Sequence, residues 1–187
     1  MELDEALARR RSIRKYKRTP IPEDAVLRVL NAAHAGPSGA NASPWRYVVV
    51  ASAEMKRAIR QASEKVDSTW DAGMPQWFQS WLASQGITSD KGFLEDAPYL
   101  LVVFSDQTLP YSVESTWVSI GYALLAATQE GLGTLTYTPG DPGFLWTLLN
   151  LPERFVPQAI LPLGIADEAP DLSRRLKRRL ARLETVD

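Results

Sequence analysis

The longest helical pattern of the chain covers residues 112–130, which contain few charged side chains. Small side chains recur there at every fourth position: Ser115, Ser119, Ala123 and Ala127. Such a face allows close packing against another helix. A bulkier apolar face lies beside it and consists of Val113, Trp117, Ile120 and Leu124. The pattern therefore predicts a helix that is buried nearly all round.

Helix and strand signals alternate along the rest of the chain. Capping residues and amphipathic periodicity predict helices at residues 3–10, 22–35, 53–65, 74–85 and after Pro142. Apolar or β-branched runs predict strands at residues 45–51, 99–104, 134–138 and 158–166. Pro162 has no N–H group and should restrict pairing of the last strand to an edge or a bulge. The order predicts an α/β or α+β domain in which helix layers cover a sheet.

Composition narrows the class of protein. The 187 residues are 45% hydrophobic and 23% charged, which is typical of one globular domain over residues 1–187. The chain has no cysteine and one histidine, His34, so cysteine-bound zinc, iron–sulfur clusters and multi-histidine sites are excluded and no metal is expected. A net charge of −1 creates no field that favours nucleic acid or membrane. No membrane-length apolar run or signal-peptide pattern occurs, so a cytoplasmic location is expected.

Positive charge is concentrated near both ends of the chain. Residues 9–18 contain seven of the 21 Lys and Arg residues, and residues 173–182 contain six more. Three interpretations are open at this point. The two segments could be solvated helix faces, they could form an anion site together, or they could form a nucleic-acid patch.

Standard catalytic motifs are absent from the sequence. It contains no GxGxxG after a strand, no GxxxxGK[ST] and no GxSxG. His34 is interpreted as a capping or packing residue, and the pairs Glu95–Asp96 and Asp167–Glu168 as solvated charges. An enzyme with so few reactive groups would depend on a cofactor for its chemistry.

Three segments suit an anionic cofactor that carries a flat ring. Guanidinium groups bind phosphate in bidentate fashion, and a cluster of them with a hydroxyl follows the first predicted helix: Arg10, Arg11, Ser12 and Arg14. The loop PSGAN at residues 37–41 offers backbone amides with little side-chain bulk, and YTPG at residues 137–140 offers the same at a strand end.

Four segments in order resemble the nitroreductase family of FMN-dependent oxidoreductases. They are RRSIRKY (residues 10–16), PSGANASPW (37–45), the small-residue helix ending in GLGT (131–134), and LPERFVPQAILPLGIADEAP (151–170) followed by arginines. The resemblance implies an α+β, three-layer sandwich with a mixed, mainly antiparallel sheet between helices. It also implies an intertwined homodimer with two FMN molecules at the interface.

The resemblance further implies an activity. NADH or NADPH would reduce the flavin, and a small, flat, electron-poor acceptor such as a nitroaromatic or a quinone would reoxidise it in a ping-pong mechanism. The flavin would carry the chemistry, with no catalytic acid or nucleophile from the protein. The alternatives are a non-catalytic flavin-binding or sensory module, or a specialised member of the flavin destructase, dehalogenase or azoline dehydrogenase type.

Site residues follow from the resemblance position by position. Arg10 and Ser12 match the residues that hold the FMN phosphate, and Arg11 matches a neighbour of the ribityl chain or phosphate. Arg14 matches the basic residue at the pyrimidine edge, where a fixed cation would stabilise the charge of the reduced flavin. The segment that reaches the FMN of the other subunit is matched by Pro37, Ser38, Gly39 and Asn41. The strand end near the rings is matched by Thr138, Pro139 and Gly140, and a late phosphate contact by Arg174 or Arg175.

Two parts of the pattern are less regular. Many relatives carry Gln where this chain has Ser43, and some contribute an Asn or Lys from the segment equivalent to residues 66–97, which cannot be assigned here. That segment holds a cluster of aromatic side chains, which is interpreted either as core or as a lid over the flavin: Trp70, Trp77, Phe78 and Trp81. Trp45 and Trp117 are interpreted as core residues.

The direction of the basic side chains follows from strand geometry. If residues 12–15 are extended, successive side chains point to opposite sides. Ser12 and Arg14 would then both face the cofactor. Ile13 would face the core, and Lys15 would also point away from the cofactor.

Overall fold

The computed structural model describes residues 2–169, with residues 69–72 described by their backbone alone. Arg174 and Arg175 lie outside the described residues, so their role stays a prediction. The helices are α1 (Leu3–Arg9), α2 (Glu23–His34), α3 (Ala53–Ala72), α4 (Gln76–Ser84), α5 (Phe93–Asp96), α6 (Ser112–Gln129) and α7 (Phe144–Leu149). The strands are β1 (Trp45–Val50), β2 (Tyr99–Asp106), β3 (Gly133–Thr134) and β4 (Phe155–Gly164). A short 3-10 helix occupies Gly39–Asn41.

The four strands form one antiparallel sheet in the order β1-β2-β4-β3. Alternate side chains of β2 enter two separate cores, as the period of a strand requires. Leu100, Val102 and Phe104 pack in a cluster with residues of α3, α5 and α7. Leu101 and Val103 pack on the other side with residues of α2 and α6. The predicted α+β arrangement of helix layers around a sheet is therefore confirmed.

Pro162 explains why β3 is short. Gly133 and Thr134 pair with Gly164 and Leu163, and Tyr137 continues in the same register through two hydrogen bonds with Ile160. That register puts Leu135 opposite Pro162, which has no N–H to donate. The predicted strand 134–138 is thus interrupted. The expectation of an edge position is wrong, because β4 lies between β2 and β3 and Pro162 interrupts only the β3 side.

The small-residue face of α6 packs as predicted, whereas its bulkier face packs only in part, because Ile120 is buried but Val113 and Trp117 are exposed. Ser119, Ala123 and Ala127 are buried against α2, where Ser119 Oγ donates to the Ala33 carbonyl at 2.9 Å. Four large side chains of α6 remain partly exposed: Val113, Trp117, Val118 and Tyr122. Among residues 2–169, the prediction of a helix buried nearly all round is therefore wrong, because these four side chains are 38–44% exposed.

The boundaries of α3 also differ from the prediction. This helix continues past residue 65 to Ala72, since the sequence has no Gly or Pro before Gly73. No helix within residues 2–169 has the length and apolar character needed to cross a bilayer.

Candidate cofactor site

The basic segment of residues 10–17 runs along the edge of the sheet and is held there by backbone hydrogen bonds. The Ile13 N–H donates to the Thr134 carbonyl at 3.1 Å, and the Lys17 N–H donates to the Ile165 carbonyl at 2.9 Å. Ile13 is buried, whereas Ser12 and Arg14 are exposed. The predicted alternation of Ser12, Ile13 and Arg14 is therefore confirmed.

Glu168 fastens the centre of this segment. One oxygen of its carboxylate accepts hydrogen bonds from the backbone N–H groups of Arg14 and of Lys15, the latter at 3.1 Å. Burial raises the pKa of the nearby Tyr16 hydroxyl, and the Glu168 charge adds to that rise. The interpretation of Glu168 as an ordinary solvated charge is wrong, because its carboxylate satisfies two backbone donors.

A small cavity of about 190 Å³ lies beside the beginning of this segment and is called the arginine cavity. Arg9, Arg10 and Arg11 line one side of it, and residues 131–133 line the other. Arg9 pairs with Glu5 at 2.9 Å, and Arg11 donates to the Ala8 carbonyl at the end of α1. The structure thus brings Arg10 and Arg11 together as predicted, and it adds Arg9, whose contribution the family motif does not indicate.

A larger cavity of about 560 Å³ follows along the same segment and is called the central cavity. Arg14 and Thr138 line it together, as the sequence predicts. Lys15 also lines it, which the alternation of side chains does not predict. Gly140 lines an adjacent cavity of about 900 Å³, whose wall includes Val66, Met74 and Phe144.

A buried charged group closes one side of the central cavity. Asp67 Oδ2 and Lys91 Nζ form an ion pair at 3.2 Å, and both residues are 6% exposed. Tyr137 donates its hydroxyl to Asp67 Oδ2 at 2.7 Å. Lys91 is thus a lysine of the 66–97 segment at the cavity. No pattern in the sequence indicates that Lys91 lies at this cavity, because its ion-pair partner Asp67 is distant along the chain.

The aromatic segment contributes to the central cavity through one face of α4. Phe78 and Leu82 line the cavity, whereas Trp77 and Trp81 are 72% and 49% exposed. The Trp81 ring stacks on Phe78 with centroids 5.7 Å apart. The core interpretation is therefore wrong for Trp77 and Trp81. The lid interpretation fits Phe78, and the side chain of Trp70 is outside the described residues.

The loop of residues 37–41 lies in a different cavity. Pro37, Ser38 and Gly39 line a space of about 380 Å³ together with Tyr111 and Val118. Among the described residues, the loop does not line the central cavity. The resemblance implies that this loop instead reaches the FMN of another copy of the chain.

The structure also tests the interpretations of His34, Trp45 and Trp117. His34 accepts a hydrogen bond on Nδ1 from Trp45 Nε1 at 3.1 Å, and the two rings are edge to face. Trp45 is buried, so the packing roles of both residues are confirmed. Trp117 is 39% exposed and donates to Gln158 Oε1, so its assignment to the core is wrong.

The two cavities offer different chemistry along the basic segment. The arginine cavity offers guanidinium groups, which suit a phosphate, and Gly131, Leu132 and Gly133 line its other side. The central cavity offers a cation at Arg14 opposite the strand end of Thr136–Thr138. Guanidinium groups, the central cavity and the cation of Arg14 are therefore arranged along residues 9–15.

This architecture is a three-layer α+β sandwich with a basic segment along one sheet edge. The profile of the nitroreductase family matches residues 7–165, so the chain belongs to the nitroreductase family. The resemblance noted from the sequence is thereby confirmed.

Two relatives of this chain carry a more specific name than that of the family. The chain is 38% identical over 160 residues to the iodotyrosine deiodinase of Thermotoga neapolitana, covering 86% of each protein. It is 36% identical over 182 residues to the iodotyrosine deiodinase of Haliscomenobacter hydrossis, covering 90% of this chain and 82% of that protein.

Among solved structures, too, a deiodinase matches this chain more strongly than a nitroreductase does. An oxidised iodotyrosine deiodinase bound to FMN and 3-iodo-L-tyrosine matches with a TM-score of 0.92 and 34% identity, covering 99% of this chain and 100% of that one. A nitroreductase with bound FMN from Bacteroides fragilis matches with a TM-score of 0.76 and 22% identity over the whole of both chains, which supports the fold alone.

Proposed function

We propose that this protein is an FMN-dependent oxidoreductase that removes halide reductively from a halogenated phenol of the iodotyrosine type. The observation that carries the proposal is the likeness to iodotyrosine deiodinases along nearly the whole chain. The match to the deiodinase structure has a TM-score of 0.92, compared with 0.76 for the nitroreductase from Bacteroides fragilis.

The basic segment would hold FMN along its length. Arg10 and Ser12 would bind the phosphate, with Arg11 beside it, and Arg14 would lie at the pyrimidine edge of the ring. The strand end would face the rings through Thr138, Pro139 and Gly140. When bound, FMN supplies the two electrons with which the carbon–halogen bond is broken, halide leaves, and a proton takes its place on carbon.

The chain's own residues would bind, orient and shield the substrate. Phe78 and Leu82 of α4 cover the central cavity and would exclude water from a flat aromatic ring. Arg14 would provide a fixed cation beside the flavin, where negative charge develops on reduction. Lys15 adds a second cation at the same wall, which favours a phenolate over a neutral ring.

We also propose that two copies of the chain form the complete site. Pro37, Ser38, Gly39 and Asn41 would reach the FMN of the partner subunit. The support is that this loop lines a cavity other than the central one, and that the outer face of α6 exposes Trp117 and Tyr122 beyond the packed core. Sedimentation should give a dimer, and a monomer that binds FMN would contradict this part of the proposal.

A second candidate function is the reduction of nitroaromatics or quinones with NADH or NADPH. The cavity of about 900 Å³ beside Gly140 favours it, because a nicotinamide or a bulky flat acceptor requires space next to the flavin. This candidate shares the FMN site with the first and differs from it in the molecule that reoxidises the flavin.

One anaerobic experiment separates these functions. The FMN-loaded protein is reduced with dithionite and mixed with 3-iodo-L-tyrosine, with 2-iodophenol, or with a nitroaromatic or a quinone. Flavin reoxidation with stoichiometric iodide release supports the dehalogenase, and the two iodinated compounds show whether the amino-acid group is required. Reoxidation by the nitroaromatic or quinone alone supports the second candidate. Bound flavin that none of them reoxidises would indicate a flavin-binding module.

A further inference from the structure

Asp67 connects three parts of the chain through one buried carboxylate. Its Oδ1 accepts the Gly140 N–H at 3.0 Å, and its Oδ2 accepts the Tyr137 hydroxyl at 2.7 Å. The same Oδ2 forms the ion pair with Lys91 Nζ. Asp67 itself belongs to α3, so the carboxylate links this helix to the strand end and to the segment before α5.

These contacts form a closed group in which each charge has a partner. Lys91 Nζ also donates to the Thr88 carbonyl at 2.7 Å and lies 5.7 Å from the centre of the Tyr137 ring. A buried charge without a partner is costly, so removal of one member leaves the others poorly satisfied. The group therefore holds its members in one arrangement.

Asp67 holds the strand end at two points, Tyr137 and Gly140, and their position determines which residues the group can fix. Tyr137 and Gly140 enclose Thr138 and Pro139, which are the residues expected to face the flavin rings. On the other side, α3 leads through residues 73–75 to α4, which covers the central cavity with Phe78 and Leu82. The Asp67 carboxylate thus connects α3, which leads to the covering helix α4, to both ends of residues 137–140.

We propose that Asp67 is a positioning residue that fixes Thr138 and Pro139 against the flavin and couples them to the α3–α4 cover. The proposal rests on the proposed FMN site. Asp67 acts through the backbone of Gly140 and the side chain of Tyr137, and it does not itself contact the reacting atoms. This role is distinct from that proposed for the basic segment, which lines the same cavity through Arg14 and Lys15.

The test uses two variants of the group and one matched control. Asp67→Ala removes all three contacts, and Tyr137→Phe removes only the hydroxyl while it keeps the ion pair and should fold even if the first variant does not. The control is Glu64→Ala, because Glu64 lies one turn earlier on α3 and its carboxylate bonds to Arg60 and to the Lys91 N–H, whereas Asp67 bonds to Tyr137 and Gly140. Each purified protein is measured for FMN dissociation constant, visible circular dichroism of the bound flavin and two-electron potential.

We expect Asp67→Ala to weaken FMN binding about tenfold, which corresponds to one charge-assisted hydrogen bond. Its flavin dichroism and potential should change, Tyr137→Phe should change them less in the same direction, and Glu64→Ala should leave both as in the wild type. Unchanged flavin dichroism and FMN binding in both Asp67→Ala and Tyr137→Phe would overturn the inference. An equal change in Glu64→Ala would also overturn it, because general loosening of α3 would then be sufficient. A wild-type protein that binds no FMN would instead refute the proposed function, and the inference with it.

Discussion

The basic segment of residues 10–17 and the loop of residues 37–43 are both expected to touch FMN, but different interactions hold them. The basic segment is extended, and backbone bonds to Thr134 and Ile165 fix it at the sheet edge. The loop is fixed by hydroxyl groups: Ser115 Oγ accepts the Gly39 N–H at 3.1 Å, and Ser38 Oγ accepts the Ser43 N–H at 2.9 Å.

The backbone of the loop is also strained in a way that the basic segment is not. Ala40, Asn41 and Ser43 all have positive φ, between 46° and 54°. This region is unfavourable for residues other than glycine and persists only where the surroundings impose it. Backbone bonds therefore position the basic segment without strain, whereas the loop depends on hydroxyl groups, one of which belongs to Ser115 of α6.

The largest effect is expected from the basic segment. In the double variant Arg10→Ala with Ser12→Ala, FMN should bind at least about a hundredfold more weakly, since each charge-assisted contact is worth about 1.5–3 kcal/mol. Fluorescence quenching of FMN measures this. Arg57→Ala is the control, because Arg57 is exposed and pairs with Glu95 away from both cavities. Full FMN occupancy in the double variant would remove these residues from the site.

The loop should respond through its packing. A Cβ at Gly39 would lie 2.3 Å from Tyr111 Cδ2 and 2.8 Å from Tyr111 Cβ. We expect Gly39→Ala to lower the free energy of unfolding by about 1–3 kcal/mol, which is typical of overpacking. Urea unfolding measures this change. Because the overlap is with Tyr111, the double variant with Tyr111→Ala should lose less than the sum of the two single changes. Strict additivity would show that the overlap is not the cause.

The charge of Arg14 should affect redox chemistry more than binding. In Arg14→Ala, the proposed contacts of Arg10 and Ser12 with phosphate should survive, but the reduced flavin should lose the cation proposed at its pyrimidine edge. We expect the two-electron potential to fall by about 30 mV for each 1.4 kcal/mol of lost stabilisation. A potentiometric titration with a reference dye measures it. An unchanged potential with FMN still bound would make Arg14 a solvated surface charge.

Glu168 should have a smaller effect, which depends on its acceptor oxygens. Glu168→Ala leaves the Arg14 and Lys15 N–H groups without their carboxylate acceptor and should destabilise the fold by about 1 kcal/mol. Glu168→Gln keeps an acceptor oxygen and should retain most of the stability. Thermal unfolding of both variants, monitored by circular dichroism, provides the comparison. Equal losses in the two variants would point to the charge instead of the hydrogen bonds.

The smallest expected effect concerns Tyr47 and appears only at alkaline pH. Burial raises the pKa of Tyr47 to about 12, while its hydroxyl pairs with Ser119 Oγ at 2.8 Å. An unfolded tyrosine loses its proton near pH 10, so between pH 10 and 12 the folded state binds more protons and its stability falls as pH rises. Over that window, Tyr47→Phe should lose less stability than the wild type in urea titrations. Parallel curves would show that Tyr47 ionises equally in both states.

Local patterns in the sequence were sufficient for much of the site. Alternation predicts that Ile13 is buried while Ser12 and Arg14 are exposed, because strand geometry depends only on neighbouring residues. The same period explains the two-sided burial of β2, and the small-residue repeat predicts the close packing of α6. These features need no knowledge of which distant segments meet.

Tertiary structure decided the rest. The Asp67–Gly140 hydrogen bond joins residues 73 positions apart, and the Glu168–Arg14 bond joins residues 154 positions apart. No local period encodes such pairings, so Asp67, Lys91 and Glu168 look like ordinary charges in the sequence. Likewise, the positive φ angles of the loop and the exposed face of α6 depend on what packs beside them. The sequence determined which side chains face outward along the basic segment, and the fold determined which distant groups meet them there, because contacts between remote segments form only when the layers pack.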